Sequence, residues 1–263
     1  MILRRLSQSL KEQNWMAICI EFVLLVVGVF LGIQVANWNS ERETDKQSAE
    51  FTEKLIADLR EESWRYQFLL EYHRDIRQAA ENTANALSGK TPLSNEEFLI
   101  NAYRATQYKQ GASRRSTYDE LVSTGNIGLI KDQKLLNVSV RAYSLSTIDN
   151  LVKEGIESRY REQFRMSVPN DVQRALGKAC GDRYIKPGEY QNFDHVIDYP
   201  CKTGLPANVI DDTANALRSD PQTIRFLRQR IADLDTRLVD MTQNNRDVWE
   251  ALLSIAKEKP VNL

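Results

Sequence analysis

Two histidines and three cysteines are the chain's whole stock of soft ligands and thiol nucleophiles, in 263 residues. Their spacing limits the chemistry open to them. His195 follows Asp194 and precedes Asp198 by three positions, with Cys180 and Cys201 on either side along the chain. That grouping fits no zinc-ligand spacing, and no HExxH, GxSxG, Walker-type phosphate loop, GxGxxG or CxxC occurs. No metal and no cofactor is expected. Cys180 and Cys201 read either as a disulfide closing a loop of about 20 residues, contributing on the order of 3 kcal/mol, or as two independent thiols. His73 falls on the apolar stripe of a long helical pattern, where a hydrogen-bonded core histidine is expected rather than a ligand. The adjacent carboxylates Glu61-Glu62 and Asp211-Asp212 diverge by about 100° on a helix and make no acid/base pair.

Glu21 is the carboxylate with most to explain. It lies inside a run from Trp15 to Trp38 in which the only other strongly polar side chains are Gln34 and Asn37. As a helix the run spans about 36 Å, enough to cross a hydrocarbon core of roughly 30 Å with a tryptophan at each headgroup level. A cleaved signal peptide is the rival reading. The apolar segment exceeds the usual length of a signal core, and Gln34-Val35-Ala36 is a poor cleavage site, so an uncleaved transmembrane helix is expected. At 100° per residue Glu21, Gly28 and Gly32 share one stripe, and the glycines form a GxxxG pair that lets two helices approach closely in lipid. Glu21 either hydrogen-bonds across such a contact or, protonated, reaches toward the headgroups.

Basic residues before Trp15 (Arg4, Arg5, Lys11) slightly outweigh those just after Trp38, which predicts an N-terminus inside and the bulk of the chain outside. A lasting disulfide would agree with an oxidising compartment. Overall charge excludes little else. Thirty-five basic and 36 acidic residues nearly cancel, so no field argues for nucleic acid. Only 11 glycines and 7 prolines favour long uninterrupted elements.

Beyond Trp38 no loop signal precedes the next helical pattern, so the span is expected to run on through Phe51, Leu55, Leu59, Tyr66, Leu69, Ile76, Ala80 and Leu87. Ser88-Gly89 and Thr91-Pro92 end it, and Ser94 with Glu97 forms a capping box for a shorter helix to about Tyr108. A short segment, Ser116 to Ser123, leads into a turn at Gly125 and Asn126, where positive φ can reverse the chain. One helix is predicted from near Asp132 to about Met166. Residues 167–212 break the pattern with four prolines and read as an irregular loop. A heptad from Leu227 to Ile255 follows, with Asn245 at one apolar position.

The expected fold is all-α: a tail over 1–14, a transmembrane helix over 15–38, the first part of an elongated bundle over 39–166, the loop over 167–212, and a last bundle helix over 213–263.

The stretches IQVANWNSER and YDELVSTGNIGLIKDQKL together resemble an uncharacterised bacterial family of small single-pass membrane proteins. The matching positions are Gln34, Trp38, Asn39 and Arg42, then Thr124, Gly125, Asn126, Leu129, Ile130 and Leu135. Threonine at 124 stands where that family's pattern has serine. The resemblance covers roughly residues 15 to 165 and implies the inner membrane, with no activity to carry over.

The expectation is therefore a non-enzymatic binding, scaffold or sensing module, held at the bilayer and pairing with itself or another membrane protein through its span. Two alternatives remain: an enzyme whose site uses His195, Asp194 and Asp198 in the 167–212 loop, and a subunit of a membrane-perturbing oligomer.

Overall fold

A computed structural model describes residues 15–185 and 196–257. Its organising element is α1, Trp15–Leu87, one helix of 73 residues and about 110 Å. The sequence permits this length because α1 contains no proline and its two glycines both lie in the apolar run. It stops where Gly89 takes φ +70° and the amides of Gly89 and Lys90 return to the carbonyls of Ala86 and Asn85.

The remaining helices are short: α2 Asn95–Ala105, α3 Ser116–Ser123, a 3₁₀ turn Ile127–Leu129, α4 Gln133–Ser144, α5 Thr147–Ile156, α6 Arg159–Ser167 and α7 Asn170–Cys180. Then come α8 Ala207–Ser219, α9 Pro221–Val239, a π turn Asp240–Asn244 and α10 Arg246–Lys257. Among the described residues there is no strand, and the fold is all-α.

Three expectations are revised. The single helix predicted from Asp132 to Met166 is three, broken where Leu145 turns extended (ψ 117°) and where Ser158 caps α6 through its hydroxyl and the Arg161 amide, 3.4 Å. Serine competes for backbone groups and favours caps over helix interiors, as Ser158 does here, whereas Ser146 precedes α5 without a side-chain cap. The segment 167–212 is not irregular throughout, because α7 and the start of α8 lie inside it. Pro169 and Pro206, read as loop markers, instead stand at the N-caps of those two helices, where a missing N–H costs nothing. The heptad is also interrupted. The π turn widens the helix at Asp240–Asn244, and Asn245 closes it by donating to the Asp240 carbonyl at 2.9 Å.

α1 is a central spine, not one leg among equals. From Glu62 to His73 most of its circumference is buried, including Tyr66, Phe68, Leu69, Leu70 and Tyr72, and only the stripe through Trp64, Gln67, Glu71 and Arg74 faces outward. Every seventh residue of the heptad row, Leu227, Leu234, Met241 and Val248, is buried, while Ile231 and Leu238 are only half-buried. Leu55 to Ile76 of α1 anchor a first core, shared with the 120–135 turn and α10. A second core joins Ala86 to Phe98, Leu176, Cys180 and Leu217. Between them Ala80, Ala105, Tyr160 and Leu227 form a buried junction.

Candidate functional site: the exposed span and the motifs at its exit

Among the described residues, most of the large exposed apolar side chains lie between Trp15 and Trp38. Phe22, Leu24, Val29, Phe30, Leu31 and Val35 each keep more than half of their surface accessible. An 18-residue window here has a mean hydropathy of 2.7 and none of it is buried. By length and composition it can cross a bilayer. A continuous apolar surface of this size is not stable against water, so something covers it.

Glu21 sits on this surface with Oε2 enclosed by neighbouring side chains and no hydrogen-bond partner. It borders an apolar hollow made with Trp15, Ile18, Phe22, Leu24 and Leu25. Gly28 and Gly32 lie about two and three turns further along, and a Cβ at either would meet nothing within 4 Å. The glycines are therefore not required by contacts within the chain. Cys19, a free thiol, is exposed and lines the same hollow as Glu21.

Gln34, Trp38 and Arg42 follow one another at four-residue spacing and so share a face, with Asn39 beside it. Arg42 lies 5.1 Å over the Trp38 ring, a cation–π contact that holds the guanidinium against the indole. Trp38 itself is 60% exposed.

The turn within Tyr118 to Leu135 docks on α1 just beyond the Ile33–Arg42 stretch, some 80 residues away in sequence. Ser48, two turns beyond Arg42 on α1, donates to the Leu129 carbonyl at 2.5 Å. Lys131 pairs with Asp45 at 2.6 Å. The turn is thus docked on the spine about 15 Å past Trp38. Gly125 has φ +73°, as its role in the reversal predicts, but Asn126 does not; its φ is −91°. The Asn126 amide instead donates to the Leu121 carbonyl at 2.8 Å and Asn126 opens the 3₁₀ turn. Ser48 had no signal in the sequence: a buried hydroxyl on a helix becomes visible only when its distant carbonyl is in place.

The far end of the spine carries the cysteines. Cys180 and Cys201 have sulfurs 2.10 Å apart and Cα atoms 5.5 Å apart, which is disulfide distance. The described part of the loop is pinned elsewhere too. Arg104 donates to the Tyr199 carbonyl at 2.6 Å and approaches Asp198 at 3.5 Å; burial pulls its pKa down, opposed by Asp198. Thr203 gives Glu96 two hydrogen bonds, 2.8 and 2.7 Å, which hold that carboxyl below its usual range. Asp194 and His195 lie outside the described residues, while Asp198 is engaged by Arg104.

His73 is fully buried at the middle of the spine, and its Nδ1 lies 2.7 Å from the Leu69 carbonyl. A carbonyl only accepts, so Nδ1 carries the proton and the ring is neutral. Burial lowers its pKa to about 3, with the Arg230 guanidinium pushing the same way. Arg230 is itself 2% exposed and donates to the carbonyls of Ala105 (3.5 Å) and Gln107 (3.0 Å), with its pKa lowered to about 10 by burial. These groups hold α2 and α9 against α1.

No family model matches the chain, nor does any curated protein or solved structure.

Proposed function

We propose that this chain is a single-pass membrane protein whose α1 crosses the bacterial inner membrane over Trp15–Trp38 and continues, without a joint, as the spine of an extracytoplasmic binding or scaffold module. The observation that carries the reading is the continuity of α1. One helix is apolar and largely exposed over its first turns and buried over most of its circumference around Tyr66, so the bundle cannot turn freely relative to the span. A signal sequence destined for removal has no reason to share a helix with the core.

Within that reading, the span pairs with a second copy or another membrane protein along Glu21, Gly28 and Gly32. An enclosed carboxylate oxygen without a partner and two glycines that no internal contact needs support a face awaiting a second helix. Because α1 is continuous, pairing in the membrane sets the spacing of the outer bundles.

Crosslinking in native membranes, followed by identification of the captured proteins, tests this. The wild-type chain yields a discrete crosslinked species, and Gly28→Ile with Gly32→Ile abolishes it by keeping the backbones apart. An unchanged crosslinking pattern in that variant removes the stripe as an interface.

A further inference from the structure

We infer that the cleft between α6 and the first turn of α7 is a binding site for a small soluble molecule carrying a phosphate group. The cleft holds about 300 Å³ and is lined by Tyr103, Gln107, Arg161, Phe164, Arg165 and Arg174, with Thr106, Asn170 and Gln173 between them. Three guanidinium groups face it and no carboxylate does, in a protein whose formal charge is −1. The adjoining hollow around Ser158 shares Arg161 and Arg165 but contains Glu157 and Glu162, so positive charge is unbalanced only in the first.

Several arginines of this bundle are paired with acids: Arg77 with Glu81 and Asp235, Arg237 with Glu154 and Asp240, Arg115 with Asp119. Among the described residues Arg165 and Arg174 have no such partner. Arg161 gives one N–H to the Thr106 carbonyl at 3.0 Å and stacks 4.9 Å from the Tyr108 ring. Like charges do not gather without a reason. Burial and the neighbouring Arg165 both press the Arg161 pKa down, which an anion in the cleft would reverse.

The geometry specifies more than charge. Guanidinium forks match phosphate oxygens, and three of them exceed what a single carboxylate neutralises. The start of α7 forms part of the same wall through Asn170, Gln173 and Arg174, while Asp171 of that turn lies off it. The half-buried Tyr103 ring, backed by the buried Phe164 ring at 6.3 Å, offers an apolar side for the rest of the ligand. The cleft adjoins the junction at Ala80, roughly 60 Å along α1 from Trp38, beyond reach of headgroups at the span. A soluble ligand follows from that distance.

The test is calorimetric titration of the full chain in zwitterionic nanodiscs with phenyl phosphate, inorganic phosphate and acetate, at a fixed ionic strength of about 0.15 M. Phenyl phosphate is expected to bind saturably and more tightly than inorganic phosphate, with acetate weakest. Arg165→Gln with Arg174→Gln, both exposed and checked for folding by circular dichroism, should weaken phenyl phosphate about a hundred-fold, about ten-fold for each guanidinium. Arg225→Gln with Arg228→Gln changes net charge equally on the exposed face of α9 and should leave binding intact. Absence of saturable binding to folded wild-type protein, equal loss in both double variants, or binding only when anionic lipid is added each overturns the inference. None of these outcomes depends on helix pairing in the membrane.

Discussion

The Tyr66 hydroxyl donates to the carbonyl of Met241 at 2.8 Å, joining the middle of α1 to the π turn between α9 and α10. A widened turn disturbs the regular i→i−4 ladder, and here a buried side chain satisfies a carbonyl beside the disturbance. The Tyr66 ring also packs 5.3 Å from Trp249 of α10. Burial and the nearby Asp240 push the phenol's pKa up, so it remains a donor at any physiological pH. Tyr66→Phe keeps the ring and leaves the Met241 carbonyl without its donor. The expected cost is about 1–2 kcal/mol by chemical denaturation in detergent, with wild-type helix content.

Glu62 and Arg65 form a buried ion pair one turn apart on the spine, joined by Nη2 and by Nε at 2.9 Å. Glu62 also accepts from the Ser113 hydroxyl (3.2 Å) and the Arg114 amide (3.3 Å), while Arg65 donates to the Gly111 carbonyl at 3.2 Å. The pair clamps the segment between α2 and α3 to α1. Glu62→Ala leaves a guanidinium buried without its anion and should cost about 3–5 kcal/mol; replacing both residues by apolar ones of similar volume should cost much less. A double-mutant cycle followed by denaturation reads the difference.

His73 makes stability depend on pH. Its folded pKa of about 3 lies below the ordinary value of 6.5. Between those values the unfolded chain binds a proton that the folded chain refuses, so stability falls as pH drops, by up to about 1.4 kcal/mol per pH unit. The effect begins near 6.5 and is complete near 3. Denaturation at about pH 7 and about pH 5.5, above the range where carboxylates titrate, should show the loss in the wild type. His73→Leu should flatten it.

Much of this architecture can be read from residue order. The unbroken spine follows from the absence of proline, and the start of α2 from Ser94 and Glu97, which form the full capping box. What could not be read depends on partners distant in sequence. Periodicity placed His73 on the apolar stripe of α1, where it is buried, but Glu62 and Arg65 lie off that stripe and are buried because Gly111, Ser113 and Arg114 close on them. Polar residues reveal such burial only once their partners are in place. The breaks near Leu145 and Ser158 were hidden for the opposite reason: the apolar spacing of 135, 138, 142, 145 and 148 runs on unchanged, while the chain turns extended at Leu145 and a Ser158 cap starts α6. The meeting of Ser48 with Leu129 has no local signature at all.

The Cys180–Cys201 link spans 21 residues of a segment whose described ends are pinned by Tyr199 and Thr203. Loop closure of this length contributes on the order of 3 kcal/mol. Cys180→Ser with Cys201→Ser should lower the denaturation midpoint accordingly, and a reducing agent should do the same to the wild type but not to the variant. Proteolysis should then cut first between 181 and 206, while α1 stays intact.

The continuity of α1 through a membrane is tested most directly by alkaline carbonate extraction of membranes holding the full-length chain, combined with a C-terminal reporter active only outside the cytosol. The chain should remain in the membrane pellet uncleaved, and the reporter should be active. Full-length protein released into the supernatant, a product shortened by removal of the span, or a reporter silent outside and active inside would contradict the account.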